Sequence, residues 1–176
     1  METKTRPTLS RRDLLKTFGA ATVVVAAGAI VHPGEGWALE ATALPPETMR
    51  TLVRMARDTY PHDQLADRFY AVAMKSFETE AAGDPAFKAM VEDGVIALDT
   101  LANARHGVAY VDVGWEVDRV ALLREIEAGG FFQKVRGTLV TGLYNNEEVW
   151  PIFGYQGESA SLGGYLTRGF DDIAWL

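Results

Sequence analysis

The 176-residue chain has no cysteine. That absence rules out disulfide stapling, iron–sulfur clusters held by thiolates, and haem attached through Cys-x-x-Cys-His. Histidine is nearly as scarce, with three residues. The two beyond residue 38, His62 and His106, are too far apart in sequence for a His-x-x-x-His metal pair. Basic residues are the minority, 17 Lys and Arg against 24 Asp and Glu, for a net charge of −7. This balance argues against nucleic acid or an anionic membrane surface as partner, since either demands a basic face. Strongly apolar runs of the roughly 20 residues that span a bilayer are also missing.

The N-terminus is informative. In TLSRRDLLKTFGAATVVVAAGAI, Arg6, Arg11, Arg12 and Lys16 flank a short apolar stretch over residues 18–31 rich in Ala, Gly and Val. A basic front, a short apolar middle and a small-x-small exit make a signal peptide. The exits on offer are Gly36-Trp37-Ala38 and Ala41-Thr42-Ala43, so cleavage is expected near 38 or 43. The Arg11-Arg12 pair with Leu14 resembles the twin-arginine export motif, a receptor-read address and not an anchor. An ordinary secretion signal or a basic amphipathic helix is the plainer alternative; the arginine pair and the weak apolar middle count against both. Setting aside residues 1–38 leaves a single domain's length with 12 basic and 21 acidic residues.

That remainder reads as all-α, a compact bundle of about five helices over residues 39–153. The composition predicts a helix over 47–60, stopped by Pro61. Asp63 is expected to cap a second, with Leu65, Phe69, Val72, Ala73 and Phe77 at helical spacing up to Gly83. Asp84-Pro85 signals a third start, followed by the stripe Phe87, Val91, Val95, Leu98 and Leu101. A shorter helix is expected to turn Val120, Leu123 and Ile126 inward before Gly129-Gly130. The last long helix carries Phe132, Val135, Leu139 and Leu143 and closes at Asn145-Asn146, with Glu147-Glu148 opening a short helix after it.

Residues 154–176 follow neither a helical nor a strand period. Five glycines lie among Tyr155, Tyr165, Leu166, Phe170, Ile173 and Trp175, and each would cost a helix about 1 kcal/mol. A flexible linker would be polar. This strap is apolar enough to need burial, either over its own helices or on a partner.

Catalytic groupings are not found. Asp171-Asp172, Glu147-Glu148 and Glu92-Asp93 are sequence neighbours whose side chains diverge, whereas hydrolytic acid/base pairs need a cleft and a set separation. The glycines lack the G-x-G-x-x-G spacing and its strand, and no Gly-x-Ser-x-Gly elbow occurs. His62 reads as a local helix-start residue and His106 as a cation favoured at a helix C-terminus. No catalytic, cofactor or metal residue is therefore expected in this chain. A folded-protein export signal on a chain without a cofactor implies that the cargo is a complex, with the cofactor in another subunit.

The block LYNNEEVWPIFGYQG over 143–157, GGYLTRGFDDIAWL over 163–176, and YPHD over 60–63 resemble the small subunit of membrane-bound, FAD-dependent sugar and polyol dehydrogenases. This is the gluconate 2-dehydrogenase subunit 3 family, called the gamma subunit in glucose dehydrogenase. The resemblance implies a flavin subunit of the glucose-methanol-choline type as partner, commonly with a multihaem cytochrome c subunit in the membrane. It implies a periplasmic maturation and export role, through the twin-arginine translocase, with no catalytic residues in this chain. Trp150, Phe153, Tyr155, Tyr165, Phe170 and Trp175 are then the expected partner interface, because aromatic anchors are enriched at such surfaces. A small independent periplasmic enzyme or a sugar-binding protein is the alternative.

Overall fold

A computed structural model describes residues 42–166. Among them are five α-helices and no strand, as the periodicity predicts: α1 (Pro46–Thr59), α2 (Asp67–Gly83), α3 (Pro85–His106), α4 (Glu116–Ile126) and α5 (Gly130–Tyr144). Two short 3-10 helices, Tyr110–Asp112 and Trp150–Phe153, complete the order.

Local chemistry sets several boundaries. Pro46 opens α1, where its missing N–H is no loss and its fixed φ suits the first turn. Asp84 alone joins α2 to α3: its carboxylate accepts from the N–H groups of Ala86 at 2.8 Å and Phe87 at 3.1 Å, and Pro85 follows as the first helical residue. Gly107 ends α3 at φ +74°, a left-handed cap that costs glycine nothing.

Helix α2 packs against α1, α3 and α5, and α1 also meets α4. The core between them holds Leu52, Met55, Tyr70, Met74, Phe77, Leu98, Leu122, Leu139 and Leu143, all fully buried. Two glycines permit close approach. A methyl group on Gly142 would lie 3.2 Å from Ala73, so α2 and α5 touch almost backbone to backbone. At Gly94 the ring of Phe131 fills the space a side chain would need, with ring atoms 2.3–2.6 Å from a Cβ position.

Three expectations need correction. Helix α2 begins at Asp67, with Ala66 as its uncapped flank, and Asp63 does not cap it. Residues 61–66 turn instead, the Leu65 N–H bonding the His62 carbonyl at 3.0 Å. The buried face of α2 centres on Phe69, Tyr70, Ala73, Met74, Phe77 and Ala81, with Ala71 also buried, and Val72 is exposed. In α4 Leu123 is buried and Ile126 packs half-buried against the core as expected, Val120 is half-buried, and Arg119 and Leu122 are buried with them. After α5, Glu147 and Glu148 lie in a turn, with the Glu148 N–H bonded to the Asn146 side chain at 3.0 Å.

Candidate functional site

Two polar junctions grow from the C-terminal end of α1. Asp58, on its last turn, is buried and meets Arg119 of α4 in a two-pronged pair. Oδ2 accepts from Nε at 2.7 Å, and Oδ1 accepts from Nη2 at 2.9 Å. Oδ2 also accepts the Tyr110 hydroxyl at 2.7 Å. The remaining guanidinium arm donates to the carbonyls of Val113 at 2.8 Å and Gly114 at 3.3 Å. The bond to Asp58 holds the Arg119 pKa above its ordinary value against the opposing effect of burial. Burial, then the Asp58 charge, push the Tyr110 hydroxyl far above its ordinary range, so it stays a donor. With its ionic groups committed to one another, this junction is a clasp between α1, α4 and the 3-10 turn.

The clasp also fixes what lies beside it. Trp115 directly follows the two carbonyls that Arg119 holds, and it is 76% exposed. No sequence signal marked it as exposed.

The second junction starts two residues further on. The Tyr60 carbonyl accepts the buried Tyr70 hydroxyl at 2.7 Å, and that hydroxyl accepts the His62 N–H at 3.2 Å. His62 Nε2 lies 2.7 Å from the Tyr144 hydroxyl at the end of α5. Its ring packs edge-on against Phe153, centroids 4.8 Å apart, and Tyr144 meets Tyr60 at 5.8 Å. His62 was expected to start a helix, but it lies in the turn before α2, and its main long-range contact spans 82 positions of sequence. Burial lowers the His62 pKa and raises that of Tyr144.

Of the expected interface aromatics, Trp150 is the most firmly tied to its own chain. Its indole N–H donates to the Tyr144 carbonyl at 2.8 Å, its ring meets Tyr155 edge-on at 5.2 Å, and Gly157 passes beside it. Phe153 is 41% exposed, Tyr155 50% and Tyr165 62%. Phe170, Trp175 and the export pair Arg11 and Arg12 lie outside the described residues. The described part of the strap turns on itself, the Gly164 N–H bonding the Ser159 carbonyl at 2.7 Å. Gly154, Gly157, Gly163 and Gly164 all have φ between 74° and 94°.

No family model, curated protein or solved structure matches the chain.

Chemistry has little to work with here. Among the described residues no group of three or more His, Asp or Glu is placed to hold a metal, and no helix is long and apolar enough to cross a membrane. A groove of about 640 Å³ runs beside α4 and α5, lined by Tyr60, Leu123, Arg124, Phe132 and Arg136 among others. His106 lies exposed at the end of α3, remote in role from either junction.

Proposed function

We propose that this chain is the non-catalytic small subunit of a periplasmic, membrane-associated, FAD-dependent dehydrogenase of sugars, polyols or sugar acids. It supports maturation of the flavin subunit and carries it through the twin-arginine translocase. The flavin belongs to a glucose-methanol-choline-type large subunit, and haem c, where the complex has a cytochrome subunit, to that third chain.

One observation carries the reading: YPHD and LYNNEEVWPIFGYQG, two of the three blocks on which the family resemblance rests, meet in one aromatic cluster. Residues so far apart in sequence share a recognisable signature when they serve one surface. Tyr70, Tyr144 and the Trp150 indole fasten that cluster from below, and Phe153 and Tyr155 stay half open. Rigid aromatic groups with little left to order are effective anchors, because binding costs them little side-chain entropy.

The groove beside α4 and α5 is the feature a sugar-binding protein would use, and it keeps that alternative in play. In the isolated subunit a sugar that raises the melting temperature would favour binding. A stoichiometric flavin, or turnover lost with His62→Gln, would favour an independent enzyme.

The principal test is export. Changing Arg11→Lys and Arg12→Lys together is expected to leave both this chain and its flavoprotein partner in the cytoplasm, since lysine does not reproduce the planar guanidinium fork. Normal periplasmic dehydrogenase activity in the double variant would reject the co-export reading.

A further inference from the structure

We propose that Trp115 is a docking anchor, taken up by a pocket of the flavin subunit that is apolar within and rimmed by lysine or arginine. This rests on the small-subunit reading above and adds to it a contact point outside the blocks that carry the family resemblance.

Among the described residues no aromatic ring is more exposed than that of Trp115. Its main chain, by contrast, is tied on both sides. Before it, the Val113 side chain is buried and the carbonyls of Val113 and Gly114 accept from the Arg119 guanidinium. After it, α4 begins, and the Trp115 carbonyl accepts the N–H groups of Asp118 and Arg119, both at 3.2 Å. Arg119 thus braces this residue through its side chain and its main chain, while Asp58 holds the guanidinium in turn. Only the two side-chain torsions of the indole are left to order on binding, which keeps the entropic cost low. Tryptophan is also the residue type most enriched among the few side chains that dominate interface energy.

Charge selects the occupant. Exposed Asp112 and Glu116 flank the ring, and from Gly107 to Asp118 there is no lysine or arginine. Arg119 does not offset them at the surface, because it is buried against Asp58. A membrane of anionic headgroups would be repelled by this patch. A second copy meeting the first through the same patch would set like charges face to face. The complement is a protein pocket with a cationic rim, where an ammonium or guanidinium also gains from the face of the indole. The flavin subunit is placed to supply it, since the anchor and the half-open aromatic cluster grow from neighbouring residues of α1: Asp58 holds Arg119, and Tyr60 packs on Tyr144.

The test uses the full chain and its flavin subunit, with affinity and association rate measured by titration. Trp115→Ala is expected to weaken assembly at least about thirtyfold, as loss of one hot-spot residue does, and to leave the melting temperature of the free chain unchanged. Asp112→Asn with Glu116→Gln is expected to slow association about tenfold at low salt and to flatten its dependence on ionic strength. Unchanged affinity in Trp115→Ala overturns the proposal; unchanged or faster association in the charge variant overturns the basic rim. A melting temperature that falls in step with affinity would assign the ring to this chain's own packing and overturn the anchor. So would a different occupant: dimerisation of the parent chain, or its binding to vesicles of phosphatidylglycerol, that is lost in Trp115→Ala. A parent chain that does not join the flavin subunit rejects the small-subunit reading and the proposal with it, whereas parent and Trp115→Ala joining equally well rejects the anchor alone.

Discussion

Asp58 and Tyr60 leave the same end of α1, yet the junctions they build follow opposite rules. Around Asp58 the polar atoms are buried and pair with one another, so removing Asp58 or Arg119 strands the other's charge. Around Tyr60 and His62 the partners are aromatic, the pairing is looser and two rings face out. Two residues of chain separate a buried ionic clasp between helices from a half-open aromatic cluster, the one proposed above as a docking surface. Burial of the whole network, more than residue type, divides the two.

The largest expected effect breaks the first side of that comparison. Asp58→Ala leaves Arg119 buried without its counter-ion, and a broken buried pair typically costs about 3–5 kcal/mol. Urea unfolding of the isolated subunit measures it. Replacing all three side chains, Asp58→Leu, Arg119→Met and Tyr110→Phe, is expected to recover part of the loss, since apolar groups of similar volume are often neutral in place of a buried pair, while the Val113 and Gly114 carbonyls still lose their donor. Damage in the triple variant equal to that in Asp58→Ala would mean that the stranded charge is not what the single variant costs.

The next tests the second side. Phe153→Ala with Tyr155→Ala is expected to weaken assembly with the flavoprotein more than a hundredfold, about 3 kcal/mol, as loss of two exposed anchors does. The melting temperature of the free subunit is expected to change little. Stability falling as far as affinity would move these rings from the surface into the core.

The smallest effect concerns pH. Burial lowers the His62 pKa in the fold, so between the folded value and the ordinary 6.5 the unfolded chain binds more protons. Stability from this site is present above that window and is lost as pH falls through it. Melting temperature is expected to drop from pH 7.5 to 5.5, and the drop to shrink in His62→Gln. Asp99, whose pKa burial raises, works in the opposite sense at lower pH, which is why the variant must be subtracted from the parent. An identical pH profile in the two proteins would remove His62 from the cluster's energetics.

How much of this was legible beforehand follows from the range of each interaction. The Asp84 cap and the stripe of Phe87, Val91, Val95 and Leu98 could be read because their causes lie within a few residues. Arg119 could not, since a charged residue turns inward only when a partner 61 positions away is known. The same limit hid Tyr144 behind His62, although both belong to blocks quoted for one resemblance. Val72 was misplaced because both flanks of the Phe69, Ala73 and Phe77 stripe lie at helical spacing, and only the packing of α2 makes the Tyr70 and Met74 flank the buried one.

The strap's four glycines at positive φ have a consequence in chirality. Their conformation is the one an L-residue resists, at about 1–2 kcal/mol each, and a D-residue adopts by default. Every coding change at these positions installs the wrong hand, because the genetic code supplies only L side chains beyond glycine. Chemical ligation of a synthetic strap with D-alanine at Gly154 or Gly163 would keep the turns and narrow the unfolded ensemble. At these four described positions the turns depend on handedness, and a mirror-image residue is the one substitution that respects it.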